Sequence, residues 1–159
     1  MKYALINGII LDGNIDMKPV TGKIILIDED KITAITEEKE GLSAYTIIDL
    51  SGKYVLPGLI NMHIHLPATG KPKKKESDPK KLVRLFTANG IMRKIMKTVC
   101  AKSAQTELYS GVTTVRTVGG VLNTDSLIRD DIEAGRIIGP RILAGNAAVS
   151  VPGGHMAGS

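Results

Sequence analysis

The residues best suited to chemistry are His63 and His65, one position apart in the run Leu56 to Gly70, LPGLINMHIHLPATG. The chain has only three histidines, so this spacing is informative. Side chains alternate along a strand, so residues i and i+2 share a face. His63 and His65 are therefore expected to project together, with Asn61 one step back, while Met62, Ile64 and Leu66 point into an apolar layer. Two imidazoles so placed can reach one divalent cation, and zinc and its relatives take imidazole nitrogen readily. The competing account is a pair of histidines hydrogen-bonded in a polar interior. The context, Pro57-Gly58 leading into a nearly continuous apolar strand, favours the cation.

The elements around that strand follow from periodicity and turn chemistry. Before Pro57 the chain reads as short strands: apolar runs around Asn7-Gly8, around the acidic turn Asp28 to Asp30, and around Ser51-Gly52. This spacing predicts hairpins in a small antiparallel sheet or half-sandwich. After Pro57 the pattern changes. A helical region is expected from about Pro79 to Tyr109, broken near Asn89-Gly90 and ended by Ser110-Gly111. Its apolar positions are Leu82, Leu85, Phe86, Ile91, Ile95, Val99 and Ala104. VTTVRTVGG is a β-branched strand. A helix capped by Asn123 and Thr124 runs to about Glu133 or Ala134 and is stopped by Gly135, and GPRILAGNAAVS supplies another strand. Strand, helix, strand, helix, strand predicts a parallel α/β unit.

Composition bounds the rest. The 159 residues are 43% hydrophobic and 23% charged, which is globular, and with one Phe, four Tyr and no Trp the core must be aliphatic. Much of the net charge of +5 lies in KPKKKESDPKK, Lys71 to Lys81. No aromatic residues interleave it, so it reads as a solvated loop and not a nucleic-acid surface. The single Cys100 excludes an intrachain disulfide and falls at a core position. No run approaches the ~20 apolar residues of a membrane helix, and no secretory segment opens the chain, so a cytoplasmic setting is expected.

The strand LPGLINMHIHL resembles the first barrel strand of the metal-dependent amidohydrolase superfamily, and SGKYVLPG resembles its lead-in. GVTTVRTVGG is similar to the second barrel strand. AGRIIGPRILAGNAAVSVPGGH is similar to the region of the third, in the branch of imidazolonepropionase-like enzymes and Xaa-Pro dipeptidases. The resemblance implies an α/β fold in two parts: a small β-sandwich lobe over residues 1–56, then the start of a (β/α)8 barrel over 57–159. It implies that His63 and His65 bind a divalent metal, most readily zinc, and that His155 lies near a small amide or dipeptide substrate. Asn61 and Thr117 stand where the family often has aspartate, which alters the groups that hold the ligand imidazoles. Gly119, Gly120, Gly153 and Gly154 suit tight turns at the barrel mouth.

A full barrel takes ~250 residues, and roughly 100 remain after the first lobe. About three strands of eight are therefore expected, with the general-base aspartate and further ligands outside residues 1–159. The implied chemistry of the intact enzyme is hydrolysis of a C–N bond by metal-activated water. The other reading is a small non-catalytic binding module. The exposed edge of an unclosed parallel sheet disfavours it.

Overall fold

The computed structural model describes residues 1–37, 40–68, 79–149 and 151. The chain divides into two compact units, Met1–Pro57 and Gly58–Ser159.

In the first unit, β1 (Lys2–Ile6), β3 (Ile24–Asp28), β4 (Lys31–Thr36) and β5 (Thr46–Asp49) form one sheet in the order β4-β3-β1-β5. A second pair joins β2 (Ile9–Ile10) to β6 (Tyr54–Val55). Only one of the three expected hairpins is a hairpin: β3 and β4 pair antiparallel across Glu29, at φ 56°. The runs flanking Asn7-Gly8 and Ser51-Gly52 do not pair with each other. Instead β1 lies parallel to β5, and β2 parallel to β6. The reason is local. Asn7 adopts φ 60°, and its side-chain amide donates to Asp49 Oδ1 at 3.0 Å. Asp49 also accepts from the Ser51 amide and hydroxyl. Both turns are thereby pinned to each other, and the chain crosses from one sheet to the other at the same level. The same donors hold the Asp49 carboxyl below its ordinary range.

The second unit is a three-stranded parallel sheet with helices packed on it. Its strands are β7 (Leu59–Ile64), β8 (Val112–Thr117) and β9 (Arg141–Leu143), in the order β7-β8-β9. Its helices are α1 (Pro79–Thr87), α2 (Gly90–Tyr109) and α3 (Thr124–Glu133). The expected break falls where predicted: Asn89 is the N-cap of α2 and accepts from the Met92 amide at 3.0 Å. Gly111, at φ 93°, and Gly135, at φ 67°, follow the ends of α2 and α3, where a left-handed residue suits glycine.

The core is Leu66, Met96, Cys100, Ala104, Val115, Val121, Ile128 and Ile142. Cys100 is thus a core residue, as expected. The buried stripe of α2 is Met96, Cys100 and Ala104, whereas Ile91 (74% exposed), Ile95 and Val99 face outward. This corrects the expected stripe at Ile91, Ile95 and Val99 while Ala104 holds, because both sets have helical spacing and only packing against β8 and α3 selects one. Lys97 on α2 pairs with Asp131 on α3, and Arg136 pairs with the same carboxylate at 2.7 Å.

Candidate metal site at the end of β7

The strand carrying the two histidines is irregular. Asn61 lies opposite Val115 and Ile64 opposite Thr117, so three steps on β7 match two on β8. This is a bulge at Met62-His63, and bulges re-aim side chains. Neighbours across a parallel pair share a face, and Val115 belongs to the core beneath the helices. Asn61 therefore faces α2, where its side-chain amide meets Glu107 at 3.4 Å. Its Oδ1 accepts the His63 backbone N–H at 3.2 Å, which holds the bulge locally.

One expectation is corrected by this bulge: Met62 is half exposed instead of lying in the apolar layer. Ile64 and Leu66 do pack into that layer. Across the sheet, Arg116 Nε donates to the Met62 carbonyl at 3.0 Å.

The imidazoles of His63 and His65 come together, with ring centroids 5.3 Å apart and planes at 75°. His63 is exposed and His65 partly buried. The Nδ1 of His65 lies 2.8 Å from the Gly119 carbonyl oxygen. A carbonyl only accepts, so Nδ1 carries the proton and Nε2 keeps its lone pair. An imidazole whose other nitrogen is held by a backbone carbonyl is oriented as a ligand. The two rings border a cleft of about 510 Å³, which Val99, Lys102, Thr106 and Glu107 of α2 also line. Among the described residues, no cluster of three or more His, Cys, Asp or Glu residues could hold a metal.

The turn after β8 seats the His65 ring. Gly119 has φ 146°, and a Cβ on it would come within 3.3 Å of His65 Nδ1 and Cε1. A Cβ on Gly120 would come within 2.6 Å of Asp125 Oδ1. The glycine pair therefore does more than turn the chain: each glycine makes room for a neighbouring polar side chain. Thr117 is buried, and its hydroxyl accepts the Gly145 amide at 2.8 Å, tying β8 to the exit of β9. Gly153, Gly154 and His155 lie outside the described residues.

Two residues were not singled out by pattern. Asp125, in the first turn of α3, is fully buried, and among the described residues neither carboxylate oxygen has a hydrogen-bond partner. Burial pushes its pKa above the ordinary carboxylate value. The Thr117 hydroxyl, the Asn146 backbone and the neighbouring His65 act the other way, the first two from outside hydrogen-bond geometry. Asn146 follows β9 at φ 55° and bonds Ser126 of α3. Asp125 reads in sequence as ordinary helix-start chemistry, and Asn146 as a loop residue. Nothing local marks either.

The family model for amidohydrolases matches residues 54–156. Imidazolonepropionase of Streptomyces avermitilis is 28% identical over 123 residues, covering 71% of this chain and 29% of that protein. Among solved structures, a Xaa-Pro dipeptidase with bound methionine in the active site superposes with a TM-score of 0.74 at 27% identity. That match covers 98% of this chain and 36% of the other. A prolidase complexed with N-methylphosphonate-L-proline superposes with a TM-score of 0.74 at 26% identity, covering 98% and 34%. The chain thus spans about a third of the length of these relatives.

Proposed function

Because the chain belongs to the amidohydrolase family, we propose that it is the N-terminal part of a metal-dependent enzyme that hydrolyses a C–N bond. His63 and His65 supply two of the metal ligands. The observation that carries this reading is the pairing of the two rings, 5.3 Å apart, with His65 Nδ1 held by a backbone carbonyl. Paired imidazole nitrogens suit zinc and related divalent ions. Once bound, such an ion supplies an activated water and polarises the substrate carbonyl. The chain's own contribution is to hold the rings: the Asn61 bulge places His63, and the Gly119 carbonyl fixes the tautomer of His65.

The substrate is a small cyclic amide, imide or dipeptide, in keeping with the names of the imidazolonepropionase and dipeptidase relatives. His155 is assigned to the substrate side of the site on family resemblance alone. The remaining ligands and the general base lie outside residues 1–159, and the chain by itself has no hydrolase turnover.

The exposed surfaces of the second unit support an unfinished barrel. Parallel sheets are normally covered on both faces. Here Ile60 (63% exposed), Met62 and Leu143 stand open beside Thr114, Arg116 and Arg141 on the side away from the core. Among the described residues, β7 and β9 are edge strands. Three parallel strands with intervening helices are the opening of an eight-stranded barrel, and residues 1–56 are its preceding β-lobe.

The test is elemental analysis and zinc titration of the 159-residue chain and of His63→Ala/His65→Ala. We expect the wild-type chain to bind zinc and the double variant to lose that binding. Equal metal content in the two would end the assignment. Metal-dependent turnover of dipeptides by this chain alone would end the reading of it as a partial, inactive barrel.

A further inference from the structure

We infer that Asn146 is a positioning residue for His65, acting through the Gly119–Gly120 peptide. The inference rests on the reading of His65 as a ligand. Its basis is one peptide group held at both ends. The carbonyl of Gly119 and the N–H of Gly120 belong to the same planar unit. The carbonyl accepts from His65 Nδ1 at 2.8 Å, and the N–H donates to the Asn146 carbonyl at 2.6 Å. In a trans peptide these two groups point in opposite directions, so anchoring the N–H aims the carbonyl at the imidazole. Glycine on both sides removes the steric restraint that would otherwise hold the plane. The hydrogen bonds at its two ends must hold it.

The Asn146 backbone is in turn fixed by its own side chain. Asn146 Oδ1 accepts the Ser126 backbone N–H at 3.1 Å and the Ser126 hydroxyl at 3.0 Å. Asn146 Nδ2 donates back to the Ser126 hydroxyl oxygen at 2.8 Å. Ser126 lies in the first turn of α3, where backbone N–H groups lack partners within the helix. The N-cap residue Asn123 makes no side-chain cap bond. Asn146 therefore caps α3 from 20 positions away, in place of the expected local cap. It does so at φ 55°, a left-handed conformation that asparagine tolerates better than most residues. The exits of β7, β8 and β9 and the start of α3 are linked in one sequence of bonds that ends on a ligand imidazole.

The experiment compares the 159-residue chain with Asn146→Gly, Asn146→Asp and Ser126→Ala. Two-bond 1H–15N spectra report the imidazole tautomer of His65, assigned against His65→Gln, and zinc titration reports affinity. Asn146→Gly keeps the left-handed backbone accessible and deletes the side chain. It should turn a single Nδ1–H tautomer into a mixture and weaken zinc about tenfold, the lower end for loss of a group that orients a ligand. Asn146→Asp keeps the acceptor and should stay near wild type in both readouts. If Asn146→Gly does not fold, Ser126→Ala removes only the hydroxyl bonds and should move the His65 nitrogens in the same direction. Wild-type nitrogen shifts in folded Asn146→Gly and in Ser126→Ala, or equal loss in Asn146→Asp and Asn146→Gly, would overturn the inference. If the wild-type chain binds no zinc, the ligand reading falls, and the nitrogen shifts still decide the role of Asn146.

Discussion

His65 and Gly119 are 54 positions apart in sequence, yet the imidazole Nδ1 sits 2.8 Å from the Gly119 carbonyl. The same glycine is at φ 146°, and a Cβ there would press on the ring at 3.3 Å. Gly119→Ala should therefore strain the turn and push the imidazole from its seat. We expect a loss of about 1–3 kcal/mol in stability, together with weaker zinc binding. Chemical denaturation and metal titration check both, and wild-type values in both would mean that the turn does not set the ring.

At the other end of β7, backbone and side chain leave no room. A Cβ on Gly58 would lie 2.0 Å from Thr113 Oγ1 and 2.6 Å from Thr113 Cβ. Gly58→Ala should cost about 1–3 kcal/mol by overpacking. Thr113→Ala in the same chain removes two of the three crowding atoms and should recover part of that loss. A double-mutant cycle showing strict additivity would contradict the contact.

Asp125 should make the fold weaker as the pH rises. Burial raises its folded pKa above the unfolded one, so its protonated form is favoured in the fold. The stability it allows is complete below the unfolded pKa and is lost as pH climbs through the folded pKa. Asp125→Asn removes the buried charge, a gain of about 1–3 kcal/mol. It also forfeits about 0.3–1 kcal/mol from a negative charge at a helix start. Burial wins, so the variant should melt higher than wild type at pH 7, with the gap closing toward pH 4. A variant less stable than wild type at pH 7 would show that the carboxylate has an ionic role.

Cys100 should be inert while the chain is folded. Burial, with Asp125 adding to it, pushes its thiol up to about 12. The thiolate is the reactive form. Alkylation at pH 8 should therefore proceed only as fast as the chain opens, and should accelerate with denaturant in step with unfolding. Rapid labelling of the native chain would place Cys100 nearer the surface than the core cluster has it.

The histidine pair, the break at Asn89, the helix ends at Gly111 and Gly135 and the core placement of Cys100 were all legible from spacing and residue type. Each depends on interactions within one or two turns of chain: alternation along a strand, a capping side chain, a left-handed glycine, a helical period. The sequence thus specifies which elements form and that two imidazoles stand close together. It does not specify what those elements meet. The bulge that turns Asn61 toward Glu107 depends on the register between β7 and β8. The choice of Met96 over Ile91, Ile95 and Val99, beside Cys100 and Ala104, depends on which face of α2 the sheet receives. The pairing of β1 with β5, and the capping of α3 by Asn146, join groups far apart along the chain. Those contacts exist only once distant segments are brought within hydrogen-bond range, so only the assembled structure could decide how the histidines are held.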